Sequence, residues 1–241
     1  MNGIIDKYFS AIFFSVEIFL FLVLMIKILF IKFLKSKKFT TAGICYFISA
    51  FFFLLYGVAG VFPILYGDQL GIFAPAKSFL FITALVYLQL YFYKMSKNFT
   101  FKLSTTIATR NYRAHTKAKT NLYTYSILLY VIEALCVPVF SNSRCYIRFY
   151  EIIPAICLTI FLIYQLNLLP KIQNSSVVIP WIIYTVFLLL FLCFRFLIEN
   201  LIIQSIGTVN LIGVFFRTAQ LVTLGYISFI RNDDLEVSLV W

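Results

Sequence analysis

The sequence predicts an all-α, polytopic integral membrane protein. The expected architecture is a seven-transmembrane-helix bundle with its N-terminus outside and its C-terminus inside. Three observations lead there. Of 241 residues, 62% are hydrophobic and only 12% are charged, against roughly 45–50% and about 25% in soluble domains. That excess is too large for a core, which must itself be wrapped in polar surface. The apolar residues also come in runs near the ~20 residues that a helix needs to cross hydrocarbon. Finally, the net charge of +11 is concentrated in alternate connectors between these runs, as the positive-inside bias requires.

The runs follow one another as a single domain over 1–241. The first, 8–31, is too long for the apolar core of a signal peptide and lacks a small-residue cleavage site. It reads as a spanning helix that also targets the chain. The second, 41–66, contains "YGVAG", whose small residues suit close helix packing in lipid. The third is 70–94, followed by a basic connector, 95–121. The fourth, fifth and sixth are 122–140, 146–169 and 179–199. The seventh, 202–230, is long enough to tilt or to continue past the membrane. Charge and proline positions do not match between the first three and last three runs, so an inverted repeat gains no support.

Orientation follows from lysine and arginine in the connectors. The first, "IKFLKSKKFT", carries Lys32, Lys35, Lys37 and Lys38. The third, "KMSKNFTFKLSTTIATRNYRAHTKAKT", carries seven cations, and the fifth carries Lys171. The opposite side has "YGDQL", with none, and "SNSRCYIRFY", with Arg144 and Arg148. Twelve cations thus face two, which places the basic connectors in the cytoplasm and the protein in a plasma or inner membrane. The sequons at Asn98 and Asn174 then lie inside and stay unmodified. The 95–121 connector fixes topology and rests on anionic headgroups. It is also the natural contact for a cytoplasmic protein partner. It lacks regularly spaced stacking aromatics, so nucleic acid is not expected.

Polar residues within the runs mark the candidate site. A charge at the bilayer centre costs about 2.5–3.5 kcal/mol on insertion scales, so Arg217 must face protein. At 100° per residue, Asn210, Gly213, Arg217 and Gln220 fall within roughly 80° of one another. Counting from the outer end of each run, Glu17 lies about 13 Å deep, Lys77 and Glu133 about 10 Å, Arg195 about 6 Å and Arg217 about 20 Å. Two readings apply to this cluster of Glu17, Lys77, Glu133, Arg195, Asn210, Arg217 and Gln220. One is a set of interhelical ion pairs that hold the bundle together. The other is an outward-facing polar pocket, net positive, for an anionic small ligand. Arg217 is expected to pair with Glu133, Glu17 or both. Lys27, near the inner end of its run, is expected to snorkel.

Enzymatic chemistry finds no foothold. A single histidine, His115, in a basic connector excludes bis-histidine haem ligation and Ser–His catalysis. Five scattered cysteines without CxxC spacing make no metal site. No GxSxG, Walker or GxGxxG motif occurs. Seven helices with the N-terminus outside are similar to microbial rhodopsins in size and topology only. The seventh run has no lysine for a retinal Schiff base, and arginine cannot substitute because it keeps its proton. No cofactor is expected. The sequence leads to a non-enzymatic, receptor-like or sensory membrane protein. A small solute or ion transporter or channel, and a non-catalytic subunit or assembly factor of a larger membrane complex, are the alternatives.

Overall fold

A computed structural model describes residues 2–34, 40–66, 73–103, 156, 159–160, 163, 175–201 and 207–230. Every element among them is helical: α1 (Asn2–Leu34), α2 (Thr41–Tyr66), α3 (Phe73–Leu103), α4 (Ser175–Leu201) and α5 (Gly207–Phe229). Four helices are long and apolar enough to cross a membrane, over Tyr8–Ile31, Thr41–Tyr66, Val177–Phe194 and Ile212–Phe229. In α3 the apolar stretch is shorter, Phe79–Phe92, because Lys77 and Lys94 bracket it. The expected fourth run lies outside the described residues. Of the fifth, only Ile156, Thr159, Ile160 and Ile163 are described, with Thr159 buried and Ile160 exposed.

Described helices outrun the expected spans. The third helix does not stop at 94 but continues to Leu103, so the first residues of the expected basic connector 95–121 are helical. Lys97 and Lys102 there neither bend nor break a helix, since lysine is a good helix former. The last helix is described over Gly207–Phe229, within the expected run 202–230.

The helices are inside-out relative to those of a water-soluble bundle. On α1 the buried stripe is Glu17, Leu20, Phe21, Leu24, Ile28 and Ile31, the i, i+3, i+4, i+7 spacing of one helix face. The exposed face carries Phe9, Ile12, Phe19, Leu22, Ile26 and Phe30. A glutamate is buried while phenylalanines, isoleucines and a leucine are exposed, an arrangement suited to hydrocarbon rather than water. Hydroxyls follow the same logic. Ser15, Thr83, Thr185, Thr218 and Thr223 each donate to the carbonyl four residues earlier, at 2.7–2.8 Å. A hydroxyl satisfied by its own helix can face lipid.

Helix α2 starts at a capping threonine. The Gly43 amide donates to Thr40 Oγ1 at 3.3 Å and the Ile44 amide to the Thr40 carbonyl at 3.1 Å, satisfying amides that a helix start leaves open. Its buried stripe is largely small: Ala42, Gly43, Ser49, Ala50, Gly57 and Gly60. At Gly57 an added Cβ would lie 2.7 Å from Ile18 Cγ1, and at Gly60 2.7 Å from the Phe14 ring. Glycine is required at both because α1 approaches so closely. On the other side Ser49 Oγ donates to the Ala84 carbonyl of α3 at 2.8 Å. The rings of Tyr46 and Tyr91 stack at 4.4 Å. Trp181 of α4 completes this cluster, its Nε1 donating to Tyr46 Oη at 3.2 Å.

The contacts fix helix direction. Phe14 meets Gly60, Ile18 meets Gly57 and Phe21 stacks on Phe53, so α1 and α2 are antiparallel. Tyr46 with Tyr91 and Phe53 with Phe81 make α2 and α3 antiparallel. Gly213 against Phe194 and Arg217 over Phe191 do the same for α4 and α5. Contacts of residue 17 with 217 and of 27 with 230 show that α1 and α5 run parallel, side by side.

Candidate functional site between the first and last helices

The buried stripe of α1 carries one charge, Glu17, and that of α5 carries one, Arg217. They meet: Arg217 Nη2 donates to Glu17 Oε2 at 2.5 Å, with the side chains only 10% and 2% exposed. One turn along α5, Gln220 Oε1 accepts from Arg217 Nη1 at 3.1 Å. The guanidinium lies 5.5 Å from the Phe14 ring and 5.7 Å from that of Phe191, within reach of an aromatic quadrupole. Lys77 Nζ lies 5.8 Å from the same Phe14 ring, and its charge acts on the Glu17 carboxylate. The phenols of Tyr56 and Tyr184 are close enough to act on Arg217. The group therefore draws on α1, α2, α3, α4 and α5.

The energetics favour keeping the group intact. Each ion alone would be costly in hydrocarbon, and removing one partner of a buried pair costs about 3–5 kcal/mol. Its level in the bundle also differs from the sequence expectation. The ion pair sets the Arg217 guanidinium at the level of the Glu17 carboxylate, where counting from the ends of the apolar runs put Arg217 about 20 Å down and Glu17 about 13 Å. The end of an apolar run does not fix where its helix meets the lipid surface.

Of the seven candidate residues, Glu17, Arg217, Gln220 and Lys77 are brought together. Arg195 and Asn210 lie on α4 and α5, but their side chains are outside the described residues, as is the whole of Glu133. Sequence reading missed Phe14, Phe191, Tyr56 and Tyr184. Phe14 could have been found, since it sits one turn from Glu17 on the same face. Nothing in the sequence singles out Phe191 or the two tyrosines from the other phenylalanines and tyrosines among the 29 and 16 present. Among the described residues no three His, Cys, Asp or Glu side chains gather as metal ligands would.

The pair is the first of three polar links between α1 and α5. Farther along, Ser228 Oγ donates to the carbonyls of Leu20 at 3.0 Å and Leu224 at 2.8 Å. Near the ends of both spans, Lys27 Nζ donates to the Ile230 carbonyl at 3.1 Å. A cation there satisfies a carbonyl at the end of α5 and complements its dipole. Lys27, expected to snorkel, is thus held by the last helix. The links form a polar seam along the α1–α5 contact. Comparison with protein-family models, curated proteins and solved structures finds no match to this chain.

Proposed function

We propose that the protein is a receptor-like, non-enzymatic membrane protein of seven spans, with its N-terminus outside and its C-terminus inside. In this reading an anionic small ligand acts at the Glu17–Arg217 group, and the basic connector 95–121 contacts a cytoplasmic protein. The polar seam carries the reading. It joins the charged group to the end of the bundle where Lys27, Lys94 and the basic connectors lie, along the contact of two parallel helices. A change in the Arg217 contacts therefore has a continuous route to that end. A transporter needs a wet path, whereas Glu17, Arg217, Gln220 and Ser228 are all packed and buried.

Helix direction supports seven spans. Helix α3 ends, and α4 begins, at the same face of the bundle. The chain between them must then cross the membrane an even number of times, and the apolar runs 122–140 and 146–169 supply two. The cation distribution supports the orientation.

The test uses a single cysteine placed at Thr116 in an otherwise cysteine-free protein. With Glu17→Gln, the rate at which a soluble thiol reagent labels position 116 should change by about fivefold, the scale of a modest coupling between sites. An unchanged rate in a folded variant would overturn the receptor reading. So would solute uptake by liposomes that contain the protein alone.

A further inference from the structure

We propose that Arg217 and Gln220 form a carboxylate-binding site that this structure shows filled by the protein's own oxygens, and that the ligand is a carboxylate that displaces them. The inference rests on the receptor reading above and names its ligand class.

A guanidinium recognises a carboxylate through two parallel N–H···O bonds. Arg217 makes two such bonds through its two terminal nitrogens, but to oxygens of different residues. Nη2 binds Glu17 Oε2 and Nη1 binds Gln220 Oε1. Two acceptors from two helix positions stand where one free carboxylate would place both of its oxygens.

Gln220 shows the cost of this substitution. Its amide orientation is set by Arg217, because a guanidinium only donates and must face the carbonyl oxygen. The Nε2 end is therefore turned away. That nitrogen is buried and has no hydrogen-bond acceptor among the described residues, in a side chain just 1% exposed. A buried donor left unmade is unfavourable, all the more so in lipid. A structural ion pair needs no such unpaired amide nitrogen. A carboxylate that takes both arms of Arg217 releases the Gln220 carbonyl. The amide can then turn and donate Nε2 to the newcomer. Lys77, whose charge already acts on the Glu17 carboxylate, favours a second anion in the same place. Glu17 is then a tethered stand-in for the ligand. Its release is the event that would alter the α1–α5 seam.

The experiment removes the stand-in and offers a replacement. Glu17→Ala protein in neutral detergent is melted in sodium acetate and in sodium chloride at equal ionic strength. Acetate should raise the melting temperature by about 2–4 °C over chloride, and adding Gln220→Leu should remove most of that rise. Glu17→Gln, nearly isosteric, serves if the alanine variant does not fold, and should show the same acetate-specific rise. Decanoate is run in parallel. A rise with acetate assigns a water-borne ligand, and a rise with decanoate alone assigns a lipid-borne one. No rise with either carboxylate in either variant, or an equal rise with chloride, overturns the proposal. The labelling change at position 116 needs no added ligand. Its presence without a carboxylate effect would discard only the ligand class. A carboxylate effect without it would keep the site and discard the receptor.

Discussion

At the scale of single residues, the Glu17–Arg217 pair tests whether charge burial organises this bundle. Arg217→Leu strands a buried carboxylate and should lower stability by about 3–5 kcal/mol. Glu17→Gln in the same chain should recover part of the loss. A double-mutant cycle read by thermal unfolding in detergent should give a coupling of about 1–3 kcal/mol; coupling near zero would mean that the two charges do not support each other. This pairing was half legible in the sequence. The polar stripe of α5 pointed Arg217 inward, and depth put Glu17 among its candidate partners. Establishing the Glu17 contact required knowing that α1 and α5 are neighbours, and no single-helix pattern contains that; Glu133 lies outside the described residues. Gln220 was placed on the right face, but not its role as acceptor for the Arg217 Nη1 group.

At the scale of elements, the α1–α2 contact is set by glycines. At Gly60 an added methyl would enter the ring of Phe14 at 2.7 Å, and that ring also lies beside Arg217 and Lys77. Gly60→Ala should therefore destabilise the protein by about 1–3 kcal/mol through overpacking. Gly225 on α5 has nothing within 4 Å of an added Cβ. Gly225→Ala should be neutral or stabilise by up to about 1 kcal/mol through helix propensity. Melting temperatures of the two variants should move in opposite directions or differ clearly. Equal losses would mean that the close approach is not what glycine serves. The "YGVAG" motif was readable as a packing surface because small residues have few other uses in a membrane helix. Helix ends were less readable. α3 runs on to Leu103 because the change from apolar to basic residues marks the edge of the lipid, not the end of the hydrogen-bonded helix.

At the scale of the whole molecule, composition and apolar run length sufficed for a helical membrane protein, since runs near 20 apolar residues suit helices rather than the shorter alternating strands of a barrel; of the seven expected spans, four stand among the described residues as helices long and apolar enough to cross. Topology makes a further expectation. A cysteine introduced at Asp68 should react with an impermeant reagent in intact cells, and one at Thr116 should react only after the membrane is opened. The reverse pattern would invert the orientation. What run length could not supply is adjacency. That the first and last helices lie together, and in parallel, emerges only from the contacts of residues 17, 20 and 27 with 217, 228 and 230.

That adjacency imposes a timetable on biogenesis. The acid and its base are 200 residues apart in the chain. At a synthesis rate of about 5–20 residues per second, Glu17 enters the bilayer roughly 10–40 seconds before Arg217 exists. During that interval the nascent protein carries the Glu17 carboxyl without its arginine. Lys77, a bound proton, the insertion machinery or water and headgroups must shelter it until then. Helix α5 then completes the pair, and a chain cut short before α5 is marked as incomplete by an acid that lacks its base.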